Sequence, residues 1–133
     1  MDFTLFLPAT TLAAVLNGAL LVAMTLSIAL HRRHSQISIG DGGDKHFAKR
    51  QRGHANGAEQ IPIALILLAL AEVQGASTSL LWVVVTCLTV GRYFHAVQFF
   101  VKGAPFILRP VGVVLTLFAQ AAAMVWLAVN IVY

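Results

Sequence analysis

The chain has 133 residues, 59% apolar and only 11% charged, with a mean hydropathy of +0.82, whereas a soluble domain carries roughly 25% charged residues. That balance excludes an ordinary soluble domain, and a length suited to one domain leaves no room for a separate catalytic unit beside the membrane spans. A net charge of +4 does not indicate nucleic acid, because all nine Lys and Arg lie between Arg32 and Arg109, most of them in loops between apolar runs, which is the signature of membrane topology.

The expected architecture is all-α: a single domain, 1–133, forming an integral membrane four-helix bundle with spans at about 4–30, 47–73, 79–101 and 109–132, since a span needs about 20 predominantly apolar residues. The first span is uncharged from Phe3 to Leu30. It lacks the basic start and Ala-x-Ala site of a removable signal peptide, so it is expected to cross and to remain. Arg32 and Arg33 follow it. The glycine-rich stretch from Ser38 to Asp44 reads as a turn that delivers Asp44 as the N-cap of a second helix starting near Lys45.

Within the second span the clean apolar stretch, Pro62 to Ala71, is too short to cross a bilayer. The helix must therefore carry Arg52, His54, Asn56 and Glu59 into or near the membrane. Offsets of four and seven put Arg52, Asn56 and Glu59 within about 60° on one face, climbing about 10 Å. The link from Glu72 to Thr78 has no Lys or Arg, so the positive-inside rule places the basic loops in the cytoplasm and both termini outside. In the third span Arg92 and His95 share a face that Phe99 continues. Arg92 is expected inside, with Glu59 as its partner. The fourth span opens on Arg109-Pro110, with Pro110 expected at the first helical position.

Each polar residue within a span costs free energy unless it meets a partner or a wet cavity. The N-termini of helices two and four point to the same side as Arg32, Arg52 and Arg109, which together imply an anion-accepting pocket with apolar walls at the cytoplasmic leaflet. Plainer roles compete at several positions. Arg92 and Glu59 would serve as a packing ion pair, Arg33 and Arg109 as snorkelling anchors, and His54 as a packing hydrogen bond. His31, His34 and His46 read as solvated loop residues, and Trp82, Trp126 and Tyr133 as interface or packing aromatics. Phe94, Phe99, Phe100 and Phe106 form a patch suited to lipid or a lipophilic substrate. Cys87, the single cysteine, can form neither an intrachain disulfide nor a thiolate zinc cluster and reads as a packed thiol.

Arg52-x-His54-x-Asn56-x-x-Glu59-x-x-Pro62 resembles the second-helix signature of the membrane-associated proteins in eicosanoid and glutathione metabolism, which include the microsomal glutathione transferases, leukotriene-C synthase and microsomal prostaglandin E synthase. Gly91-Arg92-x-x-His95, Arg109 and Arg32-Arg33 extend the resemblance over nearly the whole chain, and the Gly40 to Asp44 turn and short length are similar to the small bacterial members. The resemblance implies a left-handed four-helix bundle assembled as a homotrimer in a bacterial inner membrane, with glutathione bound between neighbouring protomers and a lipophilic electrophile or hydroperoxide as second substrate. It places Arg52, Asn56, Glu59, Arg92 and His95 around glutathione, Arg32 or Arg33 from the adjacent subunit, and Arg109 at the sulfur. Gln60, Phe99 and Pro110 depart from the tyrosine, tyrosine and serine of better-known members, which argues against prostaglandin synthesis.

Other classes fit less well. A small multidrug exporter would need an acidic residue deep in the first span, where there is none. A haem carrier would have to use His54 and His95 as axial ligands. A non-catalytic binding or scaffold member of the same family is the main alternative.

Overall fold

The computed structural model describes residues 6–130. Four helices follow in order: α1 (Pro8–His34), α2 (Lys45–Val73), α3 (Thr78–Phe100) and α4 (Leu108–Asn130). All four are long and apolar enough to cross a membrane, and no strand occurs among the described residues. Residues 4 and 5 of the expected first span, residues 131 and 132 of the expected fourth, and Tyr133 lie outside the described residues.

The ends of the helices follow from local chemistry. Pro8 opens α1 where no intrahelical donor is needed. The free first-turn N–H groups of Ala9 and Thr10 donate to Glu72 Oε1 and Oε2 at 2.9 and 2.8 Å. Glu72 is thus no loop residue; it sits in the last turn of α2 and caps its neighbour. At the other end α1 runs one turn past its expected limit, so Arg32 and Arg33 belong to its last turn, where cations meet the negative end of the helix dipole. Asp44 caps α2 as expected, its Oδ1 accepting from the N–H groups of His46 and Phe47 at 2.8 and 3.1 Å. Ser77 caps α3. In α4, Pro110 is the third residue, not the first. It is tolerated there because the first four N–H groups of a helix have no intrahelical acceptor anyway.

The helices run up and down: the ends of α1 and α3 and the starts of α2 and α4 gather at one end with the basic loops. There Arg50 of α2 reaches Ser27 and His31 of α1, and Arg109 of α4 lies over Phe99 of α3. Among the described residues α1 and α4 do not touch, and α2 and α3 separate them. The interior divides along its length. Away from the basic loops it is a continuous apolar cluster built largely of Ala9, Ala13, Ala64, Leu68, Val84, Leu88, Ala119 and Ala123, with Cys87 packed half-buried against it. Small residues at such seams allow close helix approach, a main source of helix association in lipid.

Glycines set the tightest crossings. A Cβ on Gly112 would lie 2.6 Å from the carbonyl oxygen of Gly91, and one on Gly91 would lie 2.9 Å from that of Gly112, so α3 and α4 meet backbone to backbone. A Cβ on Gly53 would lie 2.6 Å from Phe99 Cβ, which brings α2 equally close to α3. Both crossings lie beside the residues singled out for function.

Two outcomes follow. Gly112→Ala should lower the thermal stability of the detergent-solubilised protein by about 1–3 kcal/mol, the usual cost of overpacking. Gly18→Ala, whose Cβ would meet nothing within 4 Å, should be neutral or stabilising; equal losses in both would contradict the crossing. The Phe47 N–H, aided by that of His46 and by the charges of His31 and His46, holds the Asp44 carboxyl below the usual aspartate range against an opposing cost of burial. The cap's contribution is therefore complete above about pH 4 and is lost as pH falls through the lowered value. Acid unfolding of Asp44→Asn should lack that dependence.

Candidate functional site

The polar face of α2 is built as its periodicity predicts. Gly53, Gly57 and Ile61 face inward and are buried, while Arg52 and Glu59 are exposed and Asn56 is half-buried between them. Arg52, Ala55, Asn56 and Glu59 line one depression of about 110 Å³ on the outer surface. Glu59 stands 14 residues beyond the first residue of α2, about 21 Å along the axis. A carboxylate is thus presented outward near the middle of a membrane-crossing helix.

Arg92 is only 2% exposed, and its Nη2 donates to Asn56 Oδ1 at 3.0 Å. The expected pairing with Glu59 is not made. Among the described residues the single ion pair is His31 with Asp44, at 3.6 Å. Rotation about α2 explains the difference: Glu59 lies two residues, about 200°, from the inward-facing Gly57, whereas Asn56 flanks the seam with α3. Asn56 therefore belongs to both sides of the helix, touching the interior through its oxygen and the outer depression through its edge.

One turn along α3, His95 is 3% exposed and stacks on Phe99 with ring centroids 4.6 Å apart. The Arg109 guanidinium stands 5.4 Å from the Phe99 ring centroid, and Lys49 Nζ stands 5.6 Å from it. Phe99 is buried and separate from the exposed Phe94 and Phe106, so the expected lipid-facing patch does not include it. It instead forms an aromatic floor under two cations. Arg109 is exposed in the first turn of α4 and lines neither the α2 depression nor the cavity behind Asn56.

Arg32 and Arg33 go elsewhere within the chain. Arg32 lies 5.3 Å from the Phe47 ring centroid and donates to the Ser38 carbonyl at 3.3 Å. Arg33 is exposed beside Leu30, His34 and Gln36. His31 is not a solvated loop residue: it is helical, stacks on Phe47 at 4.1 Å and meets Arg50 through Nδ1 at 2.8 Å. His54 Nε2 meets Thr25 Oγ1 of α1 at 2.8 Å, a packing hydrogen bond. His54 and His95 are thus committed to different neighbours.

Several polar residues escaped the sequence reading. Lys49 lies within the expected second span and was given no role there. Asn17, fully buried, donates to Ala13 O and Thr89 Oγ1. Gln120 donates to the carbonyl and side-chain oxygens of Gln60. Single amides within apolar runs carry no periodic signal, although a polar residue inside a span is itself a pointer to a partner.

The MAPEG family's sequence model matches residues 10–129. The chain is 35% identical over 89 residues to "Inner membrane protein YecN" of Escherichia coli K12, and equally to the protein of that name from E. coli O6:H1, covering 65% of this chain. The alignment spans 66% of each relative, just under two thirds of their length. No solved structure matches the chain.

Asn56→Ala would strip Arg92 of its side-chain partner and should destabilise the protein by about 1.5–3 kcal/mol, the scale of a hydrogen bond to a charged group. Glu59→Gln should change stability by no more than about 0.5 kcal/mol. Thermal unfolding of the two variants in one detergent tests the contrast.

Proposed function

We propose, for a chain that belongs to the MAPEG family, a multi-pass inner-membrane glutathione transferase or peroxidase acting on lipophilic electrophiles or hydroperoxides. One observation carries this reading: Arg52 and Glu59 are exposed on a helix long enough to cross the membrane. Facing lipid, such charges are costly at that depth. A second copy of the chain together with a polar ligand would cover them, and a homotrimer provides the covering. The basic loops are assigned to the cytoplasmic side, with both termini outside.

The ligand belongs on that outer face rather than inside one chain. The cavity behind Asn56 measures about 80 Å³, room for a few waters and far too little for a tripeptide. Glutathione, an anion carrying an ammonium group, suits the lining. Arg52 and the Asn56 amide are assigned to its carboxylates and carbonyls, and Glu59 to its amino group. Arg32 or Arg33 is assigned from the neighbouring subunit. Arg92 acts through Asn56, and His95 through the Phe99 ring.

Arg109 is the assigned catalytic residue. The thiol of glutathione, with a reference pKa near 8.5, is mostly protonated at neutral pH, and the thiolate is the nucleophile. A guanidinium at a helix N-terminus favours the thiolate. It cannot serve as the base, because it keeps its own proton; the thiol proton passes to water. In transfer, sulfur forms a bond to the electrophilic carbon and the leaving group departs with its electron pair. In peroxide reduction, sulfur attacks the hydroperoxide, the O–O bond breaks and an alcohol leaves. The sulfenic acid of glutathione then condenses with a second glutathione to give the disulfide and water. A non-catalytic binding member is the alternative, favoured by Phe99, which offers the ligand no hydroxyl.

Titration of the purified protein with glutathione, following thiolate absorbance, tests the assignment. Wild type should form thiolate at neutral pH, and Arg109→Ala should return the thiol toward about 8.5 and slow conjugation of an aromatic electrophile by about tenfold or more. Equal thiolate in both would remove Arg109 from its role. Saturable binding without turnover would identify the binding member.

A further inference from the structure

Between α1 and α3 runs a groove of about 200 Å³, walled by Leu20, Ala23 and Met24 of α1 and by Ala96, Val97 and Phe100 of α3. No residue of α2 or α4 lines it, and α2 packs against both walls from behind. The lining carries no polar side chain. One end of the groove is closed. A turn before Leu20 and Val97, on the same helix faces, the Tyr93 hydroxyl donates to the Leu16 carbonyl at 3.1 Å and ties α3 to α1. From Tyr93 to Val101, the last lining residue of α3, is about 12 Å along the axis. The other end opens where α3 finishes, at the basic loops.

Two cations stand at the open end. Lys102 directly follows Val101 and is exposed. Ser27 lies one turn beyond Ala23 and Met24 on the same face of α1 and accepts from Arg50 Nη1 at 3.2 Å, which brings a guanidinium of α2 to the α1 wall. Arg50 meets His31 through a second nitrogen at 2.8 Å, and its Nε is buried without a partner. Among the described residues neither Lys102 nor Arg50 pairs with a carboxylate. The acidic residues of that end are committed, Asp41 to the Gly43 N–H and Asp44 to the cap of α2. An apolar groove alone selects nothing in a bilayer, because lipid tails are as apolar as its walls. Cations at its mouth do select, since Lys and Arg near the surface attract anionic lipid.

We propose that this groove holds one anionic phospholipid from the leaflet of the basic loops, the cytoplasmic one in the assigned orientation. One acyl chain lies between Ala23 and Ala96 and ends at Tyr93, and the phosphate meets Lys102 and Arg50. The two alanines supply the room, and the Tyr93 tie sets the depth. Because the lipid touches both walls, its binding holds α1 against α3. The site shares no residue with the outer face of α2 and stands independently of the glutathione reading.

The test uses the whole protein in detergent, mixed with phosphatidylglycerol or phosphatidylcholine of identical chains, with bound lipid counted by native mass spectrometry. One phosphatidylglycerol should be retained per chain, about fivefold more tightly than phosphatidylcholine, the scale of one cation acting on anionic lipid. Lys102→Glu should remove that preference. Ala23→Phe, which fills the groove from an exposed position, should lose the retained lipid with helicity unchanged. The melting temperature should rise saturably with phosphatidylglycerol and not with inorganic phosphate, which separates the lipid from a free anion. In a Cys87→Ser background, Val97→Cys should form no efficient disulfide between copies of the chain on oxidation. Equal retention of the two lipids, unchanged retention in Ala23→Phe, an equal response to phosphate, or a disulfide that places a second copy on the groove overturns the proposal. Each of these outcomes leaves the glutathione reading standing.

Discussion

The contact on which the polar half of the molecule depends is the crossing of α3 and α4 at Gly91 and Gly112, where the two backbones touch. Any side chain at either position would push the helices apart. Arg92 and His95 follow Gly91 within a turn, and Arg109 precedes Gly112 by three residues. The crossing therefore closes the cavity wall of Val113 and Thr116 onto Arg92 and holds the first turn of α4 beside Phe99. Gly53 does the same for α2, laying its backbone against Phe99. Three glycines thus bring together polar groups that belong to three different spans.

The lengthwise division of the interior follows from the same economy of size. Where alanine lines the seams, the helices pack closely and no polar atom is needed to hold them. Where guanidinium, imidazole and amide side chains must be housed, glycine supplies the room. Hydrogen bonds then connect what dispersion does not: Asn56 to Arg92, and Gln120 to Gln60. These bonds also orient the amides.

Much of this was legible in the residues. Hydropathy and charge placement marked the four helices, and Asp44 was recognisable as a cap from the turn before it. The face shared by Arg52, Asn56 and Glu59 follows from helical period alone. The pairing of Arg92 was not legible, because both Asn56 and Glu59 lie on that face and only the rotation of α2 about its axis decides between them. His31 was misread for a related reason: α1 runs one turn farther than its apolar stretch, carried by contacts of His31 with Phe47 and Arg50 that no local pattern reports. Glu72 read only as the start of a link without Lys or Arg, and its service to α1, over sixty positions away, was not legible.

That service constrains how the molecule can move. Glu72 fastens the start of α1 to the finish of α2, and Arg50 with His31 fastens their opposite extremities. Sliding one helix past the other by a single turn, about 5.4 Å, would forfeit both attachments simultaneously. The first hairpin therefore behaves as a rigid strut. Since α4 makes no contact with α1 among the described residues, that strut is joined to α4 only through α2 and α3.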